Sequence, residues 1–307
     1  TMNIYIIDPL EEFAPLKRHL ELEGNKFVNG SEIKDADLVI STKLRENVKG
    51  VEKDVPVVGG FSRYRDEALK MMGYIPSARR KEGDLVFTRW FDFNSSWHNQ
   101  ISVGIPLDRF MVGGLGPKID SGYASRYIQS TTIFDRPGLS GLLEALRFIG
   151  WVSIEVSSED GSVTQLYTWA HPIGMYNILE GVPGSLAEWF LNPFNVRLTE
   201  SWVVSVLISR YPFPHSLEGD KIVLDGISTS TEKHYWLYGP EEFKRSLSST
   251  STVLGIATAW DKTLHGASDL LYSKLDRLRI ENIQYRTDVF EVASRIWKRA
   301  KVGGLID

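Results

Sequence analysis

The first eighty residues alternate short apolar runs with helical polar stretches. Residues 3–8 (Asn3-Ile4-Tyr5-Ile6-Ile7-Asp8) read as a buried strand. Ala14 to Leu22 follows as a helix, with Pro15 in its first turn and Leu16, His19 and Leu20 at near-helical spacing. Asp37 to Ser41 and Val55 to Gly60 are two further buried strands. Arg63 to Met72 reads as a polar helix that Gly73-Tyr74-Ile75-Pro76 ends. Alternation of this kind predicts a small parallel sheet with crossover helices.

The pattern then changes. Asp84 to Phe91 and Gln100 to Ile105 predict strands, separated by the polar, turn-like stretch Asp92 to Asn99, and a glycine-rich loop follows at Gly113-Gly114-Leu115-Gly116-Pro117. Leu139 to Ile149 is amphipathic, with Gly150 as a helix stop. Trp151 to Val156 and Val163 to Tyr167 predict a hairpin around Glu159-Asp160-Gly161. Gly184 to Leu191 is another helix. The last third predicts strands at Trp202–Ser209, Lys221–Leu224 and Thr252–Thr258, with Ser246 to Thr252 a polar loop. A helix from Leu264 to Arg279 places Leu264, Ala267, Leu271, Leu275 and Leu278 on one face.

Composition narrows the function classes. The 307 residues are enough for two or three lobes, and 42% hydrophobic with 24% charged residues excludes disorder as the main state. A net charge of -4 gives no global basic field, so nucleic acid is left only a local patch. The absence of cysteine excludes disulfides, a thiolate nucleophile and Cys-ligated metal, and a reducing cytoplasm is the expected setting. No apolar run reaches the roughly 18 residues of a membrane-spanning helix, and the first residues read as a strand rather than a signal peptide. Nine tryptophans belong mostly in cores or pocket walls.

Three stretches carry a family resemblance. Val253-Leu254-Gly255-Ile256-Ala257-Thr258-Ala259 leads into a helix and then Gln284-Tyr285-Arg286-Thr287-Asp288, and Ser201 to Tyr211 with Pro212 precedes it. At the front stand Ala36 to Ile40, Pro56 to Gly60 and Gly73 to Ala78. Between them lie Leu115-Gly116-Pro117, the leucine-rich helix and the Trp151–Tyr167 hairpin. Together these resemble phosphoribosylamine–glycine ligase (glycinamide ribonucleotide synthetase) of the ATP-grasp superfamily, and the resemblance spans most of the chain. It implies an α/β and α+β three-lobe architecture: an N-terminal lobe over 1–78, a central lobe over 79–193, a C-terminal lobe over 194–300, and a tail over 301–307. The ATP-clamping subdomain is expected to be missing, because only Arg79 to Asp84 separates Ala78 from the strand at 85–90.

The resemblance implies magnesium and ATP as cofactors, but the residues argue against the usual metal site. Such enzymes place a carboxylate on the first strand of the late hairpin and a Glu and an Asn on the second. Glu155 matches the first, whereas Val163 to Trp169 carries neither. Magnesium bridging phosphates needs several hard oxygen ligands.

Each candidate residue has a functional and a plain reading. Glu155 is a catalytic group or metal ligand, or a solvated strand carboxylate. Gly114 and Gly116 with Lys118 cradle an anion, or simply connect two strands. Arg126, beside Tyr123 and Tyr127, grips a phosphate or carboxylate, or lies on the surface. His171 replaces an acid of the family's Gly-Asp-Pro-Glu element as a catalytic group, or is a packed histidine. Arg286 and Asp288 contact substrate, or lock the C-terminal lobe. Arg79-Arg80-Lys81 is a basic cluster that is either solvated or a partner site. Two functions follow. One is a ligase or transferase joining an amino acid or amine to a phosphorylated sugar or nucleotide-like substrate, with activation supplied beforehand. The other is a catalytically inactive relic that binds a ligand or another protein.

Overall fold

The computed structural model describes residues 1–9, 11–42, 48–59 and 83–307. The expected helix at 63–72, its stop at 73–76 and the basic cluster at 79–81 lie outside the described residues. Four short strands, β1 (Asn3–Ile7), β2 (Lys26–Phe27), β3 (Leu38–Ser41) and β4 (Val57–Gly59), pair in parallel in the order β2-β1-β3-β4. The crossover helix α1 (Ala14–Leu22) begins with proline in its first turn, as expected. Ile4, Leu38, Ile40 and Val58 are fully buried, which is why these strands read as apolar runs.

A nine-stranded sheet follows. Its strands are β5 (Leu85–Asp92), β6 (Ser96–Met111), β7 (Leu115–Ile128), β8 (Ile149–Val156), β9 (Val163–Tyr167), β10 (Trp202–Arg210), β12 (Tyr235–Leu237), β15 (Val253–Asp261) and β16 (Ile283–Gln284). They run in the order β12-β15-β10-β7-β6-β5-β8-β9, with β16 paired to β10, and every pairing is antiparallel. Strands from both sides of residue 193 share this sheet. A three-stranded sheet joins β11 (Glu218–Ser228), β14 (Ser246–Ser251) and β13 (Glu241–Phe243).

Strand alternation gives the large sheet two apolar faces. On one, Leu85, Val103, Ile154 and Val204 pack with α2 (Leu139–Ala145), α5 (Leu264–Leu275) and α6 (Val289–Val302). On the other, Val86, Trp90, Tyr123 and Trp151 meet α3 (Gly174–Glu180), α4 (Leu186–Leu191) and the core of the parallel sheet. Five buried tryptophans, Trp90, Trp151, Trp169, Trp189 and Trp236, lie there. Trp90 stands edge-on to Trp151 at 5.3 Å, and Trp151 contacts Trp169 at 4.8 Å and Trp189 at 5.6 Å.

Three local expectations are corrected. The helix begun at Leu139 stops at Ala145, because Arg147 takes φ 50° and the Phe148 N–H turns back to the Leu143 carbonyl. Gly150 is a strand residue instead of a helix stop. Its φ is 148°, and a β-carbon there would meet the Gly59 nitrogen at 3.1 Å, so glycine lets β8 lie against β4. The stretch at 246–252 is mostly strand β14, with Leu247 and Ser249 turned inward.

Candidate functional site

Glu155 lies on β8 opposite Val86 of β5, so it faces the tryptophan-rich side of the sheet. Its Oε1 accepts the Gly83 N–H at 2.9 Å and the Thr164 hydroxyl at 3.2 Å. Burial raises its pKa, while those two hydrogen bonds and the charges of His171 and Lys118 pull the other way. Among the described residues, Oε2 has no hydrogen-bond partner in the structure.

His171 is buried on the same face. Its Nδ1 accepts the Ile173 and Gly174 N–H groups at 3.2 and 3.3 Å. Nε2 stands 3.2 Å from Asp120. The ring therefore fastens the N-terminus of α3 to β7. Asp120 titrates below its ordinary value: burial would raise it, but the His171 hydrogen bond and charge and the nearby Lys118 outweigh that. Tyr123 stacks on His171 with ring centroids 4.7 Å apart. It is held there because Gly104 and Gly174 have no side chains. A β-carbon on Gly104 would fall 2.0 Å from the tyrosine oxygen, and one on Gly174 2.6 Å from its ring.

Lys118 links this cluster to a cleft. Its Nζ is 3.9 Å from Asp108, which lines a cleft of about 400 Å³ between the β6–β7 hairpin and α6. Gly83, the donor to Glu155, lines the same cleft. Gly114, Arg286 and Asp288 border it as well. Arg286 is buried and spends its guanidinium locally. Nε and Nη2 reach the two oxygens of Asp288 at 2.7 and 2.8 Å, and Nη1 reaches the Arg109 carbonyl at 2.6 Å. Asp288 also accepts the Gly113 N–H at 2.9 Å. This is a clasp between the C-terminal segment and the hairpin tip, whose turn needs the left-handed backbone of Gly113 and Gly114 at φ 74° and 72°.

The sequence-derived candidates thus form two adjoining groups. Glu155, His171 and Lys118 meet in one; Gly114, Arg286 and Asp288 meet in the other. Gly116 is at the hairpin end, where its carbonyl accepts from Arg109 at 3.3 Å. Arg126 stays apart, its guanidinium over the Trp202 ring at 5.8 Å. Sequence reasoning missed Asp120, Thr164, Asp108 and Arg295. Asp120 had a signal: it lies two residues from Lys118, on the same strand face.

Magnesium with ATP does not fit these side chains. Glu155 is a single carboxylate, raised by burial and already accepting two hydrogen bonds on one oxygen. Its partner on β9 is Gln165, and β9 holds no acid. Among the described residues, no three His, Asp or Glu side chains are grouped to hold a metal ion. Two magnesium ions on a triphosphate need more oxygen ligands than this.

No protein-family model matches the chain, and no curated protein matches it by sequence. Solved structures match its shape. Phosphoribosylamine–glycine ligase from Thermotoga maritima superposes with a TM-score of 0.58 at 12% identity, covering 93% of this chain and 99% of that one. Urea carboxylase from Kluyveromyces lactis gives 0.54 at 10% identity, covering 98% of this chain and 32% of the carboxylase. N5-carboxyaminoimidazole synthase from Aspergillus clavatus, solved with ADP and 5-aminoimidazole ribonucleotide, gives 0.50 at 11% identity over 90% and 98% of the two chains. The fold is therefore a mixed α/β architecture similar to that of phosphoribosylamine–glycine ligase, the family whose motifs the sequence resembles. At these identities the likeness reaches the fold and no further.

Proposed function

We propose that the protein binds an amino acid or similar amine in the cleft beside the β6–β7 hairpin and joins it to a phosphorylated sugar or nucleotide-like partner activated beforehand, the activating group leaving with its bonding electrons as the new bond to nitrogen forms and the nitrogen giving up a proton. One observation carries this reading: the cleft is lined by both signs of charge. Asp108 and Glu291 are there for an ammonium group and Arg109 and Arg295 for a carboxylate, while Asp84 is held by the Ser158 N–H and hydroxyl at 2.6 Å each. Arg286 and Asp288 neutralise one another and shape the wall. Glu155 does not line the cleft: it faces the other side of the sheet and meets the cleft wall only through the Gly83 N–H. Activation in advance follows from the donor set, which suits no metal-bound triphosphate.

Calorimetric titration of the full chain with glycine, ribose 5-phosphate and Mg·ATP tests it. Saturable glycine binding that Arg295→Ala weakens, with no heat from Mg·ATP, is the expected result. Mg·ATP binding that disappears in Glu155→Gln would overturn the pre-activated reading in favour of an ATP-dependent ligase. The lone carboxylate also favours a second reading, a catalytically inactive relic that still binds a ligand. Glycine binding with no turnover of any activated partner, and no effect of Glu155→Gln on affinity, would establish that.

A further inference from the structure

A second cavity, of about 550 Å³, lies at the other end of the large sheet. It opens where β6 begins and β7 ends, between His98 to Gln100 and the segment at 194–200. From Gln100 to Leu107, at the border of the first cleft, β6 runs about 20 Å. The two sites are therefore separate.

Arg89 sits in the wall. Its Nε donates to the His98 carbonyl at 2.6 Å, and its guanidinium lies 5.6 Å from the Trp97 ring and 6.0 Å from Phe134. Among the described residues it has no carboxylate within ion-pair distance. Two other partly or fully buried arginines differ: Arg18 is bidentate with Glu232, and Arg286 is bidentate with Asp288. Asp135 acts on it only from beyond ion-pair distance, so the half-buried charge is balanced in part and a ligand anion at its terminal nitrogens would balance the rest. Burial lowers the Arg89 pKa, in keeping with that partial balance.

The rest of the lining completes a recognisable ligand. Phe194 is 37% exposed at the cavity, its ring tilted against that of His98 with centroids 5.4 Å apart. Asn99 and Asn195 bring amide donors and acceptors of the kind that read a heterocycle's edge, while Gln129 donates to Glu200 at 3.4 Å and Arg197 neutralises that carboxylate at 2.5 Å. His98 is fixed in place: Nε2 meets the Pro193 carbonyl at 3.1 Å, and Nδ1 accepts the Gln100 N–H at 3.1 Å. Gln100 in turn pins the neighbouring segment through the Leu198 N–H and carbonyl at 2.7 and 3.0 Å. The volume lies within the ordinary range for a small-molecule site, roughly 300–1,000 Å³.

We propose that this cavity binds a nucleoside monophosphate, with the phosphate on the Arg89 guanidinium and the base against Phe194. The site goes beyond the amine cleft. At that distance its occupant does not react with an amine held in the first cleft.

The test is fluorescence and calorimetric titration of the full chain with AMP, adenosine and inorganic phosphate. AMP is expected to saturate, adenosine to bind at least about tenfold more weakly because the charge-assisted pair is absent. Arg89→Lys keeps the charge but loses the fork and should weaken AMP to a similar degree, as should the surface change Phe194→Ala. Thermal melts confirm that both variants fold. Arg295→Ala and saturating glycine are expected to leave AMP binding unchanged. The proposal is overturned if AMP shows no saturation, if adenosine binds as well as AMP, or if Arg295→Ala or glycine abolishes AMP binding. The last result would place AMP in the first cleft and leave the amine reading to its own titration.

Discussion

At the scale of single residues, the Arg286–Asp288 clasp shows how a site wall is stabilised. Burial alone would raise the Asp288 carboxyl, but the Arg286 guanidinium and the Gly113 N–H hold it below its ordinary value. A carboxylate depressed in the folded state contributes stability above its unfolded pKa and loses it as pH falls through the folded value. Urea unfolding of the native chain should therefore weaken as pH drops below the ordinary aspartate range. Asp288→Asn removes that dependence. It also leaves Arg286 buried and unpaired, so at neutral pH it should cost about 3–5 kcal/mol. Equal acid slopes in the two proteins would show that the pair contributes nothing to stability.

At the scale of elements, what the sequence revealed depended on periodicity. The parallel strands were legible because both of their faces are covered. Helix α5 was legible because Leu264, Ala267, Leu271 and Leu275 keep helical spacing and are buried. Strand β14 was not, because Ser246-Leu247-Ser248-Ser249-Thr250-Ser251 carries one large apolar residue and resembles a loop in composition. The expected strand at 100–105 proved to be part of the long β6, and β7 was not expected, since the outer half of this hairpin mixes exposed Met111 and Leu115 with charged residues and keeps no regular alternation. The site followed the same rule. Glu155 and His171 stood out as isolated chemistry in apolar surroundings. Asp120 and Thr164 did not, because their importance comes from tertiary partners: His171 for the one, and Glu155 across the β8–β9 hairpin for the other. Tyr123 depends on two such neighbours, Gly104 and Gly174. Gly104→Ala should force the buried ring off His171 and cost about 1–3 kcal/mol from overpacking. In a Tyr123→Ala background the same change should cost almost nothing, because the vacated space accepts the methyl group. Additive losses in the two backgrounds, measured by denaturant unfolding, would reject this packing account.

At the scale of the whole molecule, a polar interlock joins the parallel sheet's helix to the far edge of the large sheet. Arg18 on α1 reaches Glu232 through Nε and Nη2 at 3.0 and 2.9 Å. The Glu232 side chain is only 2% exposed, and Arg18 is 23% exposed. One residue on, His19 stacks on Trp236 at 3.8 Å and its Nε2 meets the Tyr235 carbonyl at 2.7 Å. The Trp236 indole N–H donates to Glu180 of α3 at 3.2 Å, and the Thr258 hydroxyl of β15 donates to the same carboxylate at 2.8 Å. Segments distant in sequence are thus held in register by charges and directed hydrogen bonds, which also fixes α3, whose other end His171 secures. Arg18→Met strands a buried carboxylate and should destabilise the chain by about 3 kcal/mol or more. Adding Glu232→Gln removes the stranded charge, so the double variant should regain much of that loss even though the ion pair is gone. The measurement is a double-mutant cycle by urea unfolding, with ligand titrations run in parallel. A double variant less stable than either single variant would mean that the pair itself, and not the avoidance of a lone buried charge, holds these segments together. Recovered stability with weakened glycine binding would show instead that the interlock's directionality sets the geometry of the site.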